Sequence, residues 1–476
     1  MPELDLVAKL PGASCLTSLV PYKNLRSFPP GHSEPAWCVA WNPTRPLLAS
    51  CSTDKTVRLY SYHFPANTST EANDIMSRRS VKPVFRFLAE IPTAHKRTIR
   101  SIAWSPTGRT LATASFDSTV GVWEEVTDAA EGIDGAEHTD DEDGDVNMGN
   151  EGPTEWECVT TLEGHESECK SVGYSSDGAL LASCSRDKSV WVWEVQPDSD
   201  FECISVMMEH TQDVKALAWH PKEEILASAS YDASILLFAD DPDADWGPFQ
   251  KLQPSLPAQS AKVAEDLIDH PSRPVRATDV EDADRTDDTK SDNDEFVIPP
   301  LKEPETIWSL AFSPCGMFLA SGGDNGGIRI WARGGHSTEA RWTEVAHYQA
   351  HDPRACFSLS WTESAESEAH DLGRLASTGA DGRILVWKVT KTDETILTSH
   401  LSSPVPKVEM TVLAVQVQAH SIHDINSIAW CRRLVPEDAD EGSASYKRAQ
   451  LAQQRTRGLL ATAADDGSVK VWLSEV

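Results

Sequence analysis

The sequence predicts an all-β protein built from seven copies of one structural unit, on three observations. A run of alternating apolar and polar residues ending in an aromatic residue occurs seven times in the 476 residues, and alternation of this kind is typical of strands. Turn signals such as "SPTG" and "SSDG" separate the runs. The sixteen Trp residues recur at fixed places in the copies. Such units bury their apolar faces only by stacking on their neighbours.

The seven copies align on an aspartate in a tight turn, with the aromatic residue six positions later. The aligned segments are 47–60, 110–123, 180–193, 225–238, 318–331, 374–387 and 459–472. In the first four copies a histidine stands twenty-two residues before the aspartate. His351 and His420 precede the sixth and seventh at larger distances, because those copies carry insertions between their first two strands.

The recurring residue types predict a buried hydrogen-bond chain. A histidine can link the turn aspartate to a strand hydroxyl, which in turn reaches the Trp N–H, so that buried polar groups are satisfied. Because a catalytic group occurs once and this set repeats, we interpret it as scaffold. The predicted members are His32, Asp54, His95, Asp117, Trp123, His165, Asp187, Trp193, His210, Asp232, His351, Asp381, Trp387, His420, Asp466 and Trp472.

The combination of His, hydroxyl, Asp and Trp resembles the WD40 repeat, and seven such repeats imply a seven-bladed β-propeller with loop insertions. We expect one domain over residues 1–476. Its predicted blade cores are 32–62, 95–124, 165–195, 210–240, 305–332, 351–389 and 420–476. The fifth copy has Asn325 in place of the aspartate and lacks the histidine, so we expect its blade to be the least stable.

The last copy ends one strand after Trp472, so an N-terminal strand within residues 4–28 is expected to close the ring. Both 4–10 and 16–28 contain suitable runs. Two acidic insertions are predicted to be disordered. Residues 126–155 hold eleven acids and no bases, and residues 254–304 hold thirteen acids against six bases. Smaller insertions are predicted at 64–82 and 432–457.

Composition restricts the function. The net charge of −32 disfavours nucleic acid and anionic membranes as partners. The N-terminus lacks a signal-peptide pattern, and no apolar run is long enough to span a bilayer. The ten cysteines include no CxxC pair, so we predict no metal, no cofactor and no resident cluster. We therefore expect a cytosolic or nuclear protein.

Two positions of the repeat differ from copy to copy, and these are expected to carry function. One precedes the turn aspartate, and the other lies four residues before the aromatic that ends the first strand. At these positions we predict a basic and aromatic patch on one face, formed by Arg186, Tyr231, Phe116, Arg100, Lys170, Lys215, Trp37, Trp308 and Phe357. Arginine and aromatic residues are enriched at interface hot spots. The alternative is internal pairing of the bases with acids such as Glu166, Glu168 and Asp213.

Residues 94–240, with segments such as "TLEGHESECKSVGY" and "SCSRDKSVWVWEV", resemble the WD40 subunit of the cytosolic iron–sulfur protein assembly targeting complex. The "GYSSD" segment and the acidic insertions depart from that family's pattern.

This resemblance implies a non-catalytic adaptor, acting as one propeller within a hetero-complex. The implied partners are a small acidic adaptor subunit, a helical-repeat scaffold subunit and client apo-proteins, some with a C-terminal tail ending in an aromatic residue. The family's important arginine corresponds to Arg186. The alternatives are a ubiquitin-ligase substrate receptor, a chromatin-associated adaptor, or an enzyme with a non-repeating catalytic cluster, which we do not find.

Overall fold

The computed structural model describes residues 5–10, 32–65, 82–126, 155–197, 200–240, 246–263, 305–336, 340–364, 370–397, 401, 403–434 and 443–474. These residues form seven sheets of at least four strands each. We number the sheets as blades 1 to 7, in the order of their turn aspartates. Successive strands within each blade are antiparallel.

The strands of blades 1 to 3 follow one another along the chain. Blade 1 contains β2 (Ala36–Trp41), β3 (Leu47–Ser52), β4 (Thr56–His63) and β5 (Val84–Pro92). Blade 2 contains β6 (Ile99–Trp104), β7 (Thr110–Ser115), β8 (Val120–Glu125) and β9 (Trp156–Leu162). Blade 3 contains β10 (Cys169–Tyr174), β11 (Leu180–Ser185), β12 (Val190–Val195) and β13 (Phe201–Met207).

The remaining blades repeat this order. Blade 4 contains β14 (Val214–Trp219), β15 (Ile225–Ser230), β16 (Ile235–Asp240) and β17 (Trp246–Leu252). Blade 5 contains β19 (Ile307–Phe312), β20 (Phe318–Gly323), β21 (Gly327–Arg333) and β22 (Trp342–Gln349). Blade 6 contains β23 (Cys356–Thr362), β24 (Asp371–Gly379), β25 (Ile384–Ile396), β26 (Val405–Gln416) and the short β18 (Lys262–Val263). Blade 7 contains β27 (Ile425–Trp430), β28 (Leu459–Ala464), β29 (Val469–Leu473) and β1 (Asp5–Leu10).

The ring closes through the two ends of the described chain. The first strand of each blade contacts the first strands of both neighbours, and β2 contacts β27. The outer strand of blade 7 is β1, which runs antiparallel to β29 with Leu10 opposite Val469. Of the two N-terminal runs considered from the sequence, residues 4–10 contain this strand. Residues 11–31, and with them the run 16–28, lie outside the described residues.

The apolar core is divided among the interfaces between blades. One cluster of buried side chains lies between each pair of neighbours. Between blades 2 and 3, for example, Ala112, Val120, Val172 and Leu181 pack with Trp193. Because sheets cover both faces of each blade, the second strands are buried over most or all of their length, as in "LLASCS" of β11. Burial on both faces favours small and branched residues over polar ones.

The turn that holds the repeated aspartate has one backbone geometry in all blades. The residue after the aspartate position has a φ of 68° at Lys55, 75° at Ser118 and Lys188, and 61° at Ala233. Glycine fills the same place in blades 5, 6 and 7, with φ between 67° and 71°. Glycine adopts this left-handed conformation without steric cost. The tight turn predicted from the sequence therefore recurs seven times.

The prediction that residues 254–304 are disordered is wrong for the first ten of them. Residues 254–263, here called the strap, lie against the outer strands of blades 5 and 6. Gln259 exchanges backbone hydrogen bonds with β22, accepting from Gln349 N at 3.0 Å, and β18 pairs in parallel with β26. Backbone pairing and a buried glutamate hold the strap, and neither can be read from its composition. The rest of this insertion, 264–304, lies outside the described residues.

The other predicted insertions are described only in part. Residues 127–154 and 66–81 lie outside the described residues. The insertion of blade 7 contains a helix, α1 (Ala444–Thr456), whose N-cap Ser443 accepts a hydrogen bond from Tyr446 N at 3.1 Å. Within the described chain, no helix is both long and apolar enough to cross a membrane.

Candidate functional site

In every blade except blade 5, the repeated histidine lies between the turn aspartate and a strand hydroxyl. In blade 3, His165 Nδ1 lies 2.9 Å from Asp187 Oδ2, and His165 Nε2 lies 2.9 Å from Ser183 Oγ. Ser183 also accepts a hydrogen bond from Trp193 Nε1 at 3.1 Å. Because a carboxylate only accepts, Nδ1 carries the proton and Nε2 accepts from the serine.

The same contacts recur around the ring. The histidine-to-aspartate distances are 3.0 Å for His32 and Asp54, 3.1 Å for His95 and Asp117, 2.9 Å for His210 and Asp232, 2.9 Å for His351 and Asp381, and 3.1 Å for His420 and Asp466. Trp123, Trp387 and Trp472 donate to the strand hydroxyls of their own blades. Both ring nitrogens of each histidine are thereby engaged within its blade.

The network also sets the ionisation of the turn aspartates. Burial alone would raise the pKa of the Asp187 carboxyl, but hydrogen bonds from His165 and Ser189 outweigh it and hold that pKa well below its ordinary value. The pKa values of Asp54, Asp117, Asp232 and Asp466 are lowered in the same way. These carboxylates stay ionised and occupied, as a scaffold requires.

Blade 5 replaces this network with an ion cluster. Trp331 still donates to Ser321 at 3.0 Å, but Arg329 lies where blade 3 has Trp191. The Arg329 guanidinium contacts Glu344 at 2.6 Å and Glu305 at 3.1 Å. Glu344 in turn accepts hydrogen bonds from the backbone of the strap, at 2.7 Å from Ser255 N.

Trp191 packs against other residues of blade 3. Its Nε1 donates to Ser189 at 2.9 Å, and its ring stacks on Trp193 with centroids 5.4 Å apart. A Cβ on Gly164 would come within 2.2 Å of the Trp191 ring, so glycine is required there.

Eight of the nine residues predicted for the patch form three groups of cation–ring and ring–ring contacts. Arg100 lies over Trp37 at 4.8 Å, and Lys170 lies over Phe116 at 4.0 Å. Lys215 lies between two rings, 5.4 Å from that of Tyr231 and 5.1 Å from that of Trp308. Trp308 meets Phe357 edge to face, with centroids 5.4 Å apart. Cation–π contacts of this kind orient the cations on the rings.

Two of the cations pair with neighbouring acids, as the alternative interpretation anticipated. Lys170 Nζ lies 2.6 Å from Glu168 Oε2, and Lys215 Nζ lies 3.3 Å from Asp213 Oδ2. Burial lowers the pKa of Lys170, and the nearby Lys215 and Arg100 charges lower it further, although Glu168 opposes this. The three cations are therefore close enough to repel one another.

Arg186 differs from Lys170 and Lys215 because its side-chain hydrogen-bond donors are not used within the described chain. Its side chain is 58% exposed, and its guanidinium lies 3.9 Å from both Glu168 and Asp213. Within the described chain, it donates no side-chain hydrogen bond. The backbone is nevertheless held in place, since Arg186 N donates to Glu168 O at 2.9 Å. The adjacent Tyr231 side chain is 54% exposed.

Sequence reasoning missed one member of this surface. Arg97 lies 5.9 Å from the Phe116 ring and 2.8 Å from Glu168 Oε1. It belongs to neither of the two variable positions, so the alignment did not select it. Arg97 belongs to the basic segment "HKRT" that precedes β6. The positive charge of this segment was the signal that could have identified Arg97.

The opposite half of this face is acidic at the same repeat positions. Asp324 accepts a hydrogen bond from Trp308 Nε1, and Asp465 accepts one from Asn426 Nδ2 at 2.7 Å. Burial and the Asp465 charge raise the pKa of Asp424. At the two variable positions, the side chains of blades 2 to 4 are cationic or aromatic, whereas blades 5 and 7 each carry an aspartate.

The cysteines of the described chain do not form a site. No group of three or more His, Cys, Asp or Glu side chains in the described ranges is placed to hold a metal ion. Cys51 and Cys184 are fully buried, and burial raises the pKa of both thiols well above the ordinary value.

Comparison with known proteins supports the repeat assignment. The model of the WD40 family (WD domain, G-beta repeat) matches residues 22–61, 86–124, 156–194, 201–238 and 300–332. These matches fall on five of the seven repeats. The sixth and seventh repeats, which carry insertions, are evident in the structure as blades 6 and 7.

Three fungal relatives named "Probable cytosolic iron-sulfur protein assembly protein 1" align over nearly the whole chain. The protein of Cryptococcus neoformans var. neoformans serotype D (strain JEC21) is 52% identical over 459 residues, covering 93% of this chain and 97% of the relative. That of Mycosarcoma maydis is 42% identical over 93% of this chain and 91% of the relative. That of Emericella nidulans is 37% identical over 94% and 95%. The chain therefore belongs to the WD40-repeat family of the cytosolic iron-sulfur protein assembly protein 1.

Proposed function

We propose that the protein is a non-catalytic recruiting subunit of cytosolic iron–sulfur protein assembly, and that it binds proteins through the patch around Arg186. The observation that carries this proposal is the state of Arg186. It is exposed and held by its backbone, and its guanidinium lies 3.9 Å from the carboxylates of Glu168 and Asp213 and donates no hydrogen bond within the described chain. Such a group contributes little to folding and is ready to bind a partner.

Family membership supports the assembly role. The relatives carry that role in their name, and they align with 93–94% of this chain. Protein–protein contacts in a complex are the ordinary use of a WD40 propeller. The same name supports a cytosolic location, whereas a nuclear location stays a prediction from the sequence.

The chemistry of the patch suggests the class of ligand. A peptide tail ending in an aromatic residue presents a ring beside a terminal carboxylate. A guanidinium can bind the carboxylate through two parallel hydrogen bonds, and the exposed Tyr231 ring offers a stacking partner. A small acidic adaptor subunit would also be attracted to this half of the face. A helical-repeat scaffold subunit completes the complex that we propose.

A non-catalytic role is supported by the repeated histidines. Each histidine in the six complete networks has both ring nitrogens engaged, and each paired aspartate is held ionised by several donors. A general base needs a free nitrogen or oxygen at hydrogen-bond distance from its substrate. No observation favours the alternatives of a ubiquitin-ligase receptor or a chromatin adaptor, and proteins that co-purify with the full chain would distinguish them.

The test is Arg186→Glu with Lys55→Glu as a matched control. Lys55 occupies the exposed turn of blade 1 on the same face, but it follows the turn aspartate instead of preceding it. Binding of an aromatic-ended client tail peptide and of the acidic adaptor would be measured by calorimetry. We expect Arg186→Glu to weaken binding at least tenfold, about 1.4 kcal/mol, and Lys55→Glu to leave it unchanged.

A second arm uses the same peptide with an amidated C-terminus. Loss of the carboxylate should weaken binding to the natural protein, but it should have little further effect on Arg186→Glu. Unchanged binding of both ligands to a folded Arg186→Glu protein would refute the patch as the recognition surface. Equal losses in Arg186→Glu and Lys55→Glu would show that only the net charge matters.

A further inference from the structure

A small cavity lies between blades 6 and 7, at the end of β27. Its volume is about 90 Å³, and its lining includes Glu363, Trp430, Arg432, Arg433 and Arg457. The other described residues of the lining are Thr362, Cys431, Leu434, Gln453 and Gly458. Helix α1 and its C-terminal end contribute Gln453 and Arg457. One water needs about 10–15 Å³ of such space, so the cavity has room for a small polyatomic ion or one side-chain head group.

The described lining of this cavity is mostly cationic. It contains three arginines and one carboxylate, in a chain whose net charge is −32. Among the residues that the structure describes, none of the three arginines has a carboxylate within 4 Å. Arg433 donates through Nη2 to Thr44 O, but its Nη1 is buried and has no hydrogen-bond partner among those residues.

The indole of Trp430 gives an independent indication. Trp430 is 5% exposed and lines the cavity, and its Nε1–H has no hydrogen-bond partner among the described residues. The four other tryptophans at this repeat position all donate to a backbone carbonyl, at 3.0 Å for Trp41, 3.1 Å for Trp104 and 2.9 Å for Trp219 and Trp361. An unpaired buried donor costs about 1–3 kcal/mol, so an acceptor is expected for the indole N–H of Trp430.

We propose that this cavity binds one anionic oxygen group, a phosphate-like oxyanion or a carboxylate, through Trp430 and the three arginines. Guanidinium groups and an indole N–H are donors only, and together they match the several acceptor oxygens of such a group. Cys431 does not compete as an anion, because burial raises the pKa of its thiol to about 11. This site is separate from the patch and does not depend on the function proposed for it.

The test is calorimetry of the full chain with inorganic phosphate, with ionic strength kept constant by sodium chloride. We expect saturable binding of one phosphate. The double variant Arg432→Gln/Arg457→Gln should weaken it at least tenfold, since charge-assisted hydrogen bonds are the stronger class. Trp430→Phe removes only the N–H donor and should weaken it several-fold. The double variant Lys222→Gln/Lys251→Gln, which removes two exposed charges elsewhere, should leave it unchanged.

The source of the anion is distinguished by a further variant. The sequence between Leu434 and Ser443 contains Glu437, Asp438, Asp440 and Glu441. Changing these four to amides should leave phosphate affinity as it is if the natural ligand is a free oxyanion. If phosphate binds only in this variant, a carboxylate of the chain itself occupies the cavity. Absence of saturable binding in both backgrounds, or equal affinity in all arginine and Trp430 variants, would overturn the proposal.

Discussion

Blades 3 and 5 have the same strands and the same turn, but they use equivalent positions in opposite ways. In blade 3 the interior contains the His165–Asp187–Ser183–Trp193 chain, and the residue before the aspartate, Arg186, remains exposed. In blade 5 the interior holds Arg329 with two glutamates, and the residue before the turn, Asp324, accepts a hydrogen bond from Trp308.

The difference shows where the repeat leaves a position available for binding. In blade 3 the histidine network satisfies the turn, and the side chain of Arg186 donates no hydrogen bond within the described chain. Blades 1 and 7 also keep the network, but there the preceding residues, Thr53 and Asp465, accept hydrogen bonds from Trp37 and Asn426. When the network is absent, charged side chains replace it, and the neighbouring positions become part of the fold. Substitution of the buried Arg329 should therefore lower the stability of the protein much more than substitution of the exposed Arg186.

The largest effect is expected for Arg329→Met. The Arg329 and Glu344 side chains are 11% and 3% exposed, so the substitution leaves buried carboxylates without a cation. We expect the free energy of unfolding to fall by about 3–5 kcal/mol, measured by urea denaturation. Arg186→Met is the matched control, and it should change the free energy by no more than about 0.5 kcal/mol. Equal effects of the two variants would remove the distinction between the blades.

A smaller loss is expected for Asp187→Ala. It leaves His165 Nδ1–H and the backbone N–H groups of Glu166 and Ser189 without their acceptor. We expect a loss of about 2–3 kcal/mol in unfolding free energy. Asn325→Ala at the same position of blade 5 is the control, and it should be nearly neutral because Asn325 is exposed. A large loss for Asn325→Ala would show that blade 5 depends on its turn side chain as well.

The smallest effect concerns acid pH and compares the protein with Asp187→Asn. The pKa of Asp187 is lower in the folded state than its unfolded value of about 3.9. Its stabilising contribution is therefore complete above about pH 4 and is lost as pH falls through the folded pKa.

Asparagine cannot titrate, so the two proteins should differ in stability at pH 6 and converge toward pH 2. The slopes should differ by at most about 1.4 kcal/mol per pH unit, the value for one proton. Urea unfolding between pH 2 and 6 measures this. Parallel curves would contradict the lowered pKa of Asp187.

Sequence reasoning predicted the fold well because the signals are local and repeated. The fold class, the seven repeats and the family resemblance all rest on residues close together in the chain, and comparison and structure confirm them. The assignment of the patch residues to one surface followed from equivalent repeat positions. Their role in binding remains a prediction.

Other features depend on contacts between residues far apart in the chain. The strap was predicted to be disordered from its composition, yet Glu344, 89 positions from Ser255 in the sequence, holds its backbone. The arginine cavity brings together Glu363, Trp430 and Arg457, which share no motif. Pairs of this kind are invisible to a local pattern.

The sequence by itself determined the repeat, the turn geometry and the identity of the network residues, because each depends on spacing within one blade. Only the tertiary structure decided which charges are paired and which are free. Lys170 and Lys215 each meet an acid two residues away, whereas Arg186 lies just beyond hydrogen-bond distance of both. A difference of about one ångström decides whether a donor is used within the fold or remains available to a partner, and only the packing of neighbouring blades sets that distance.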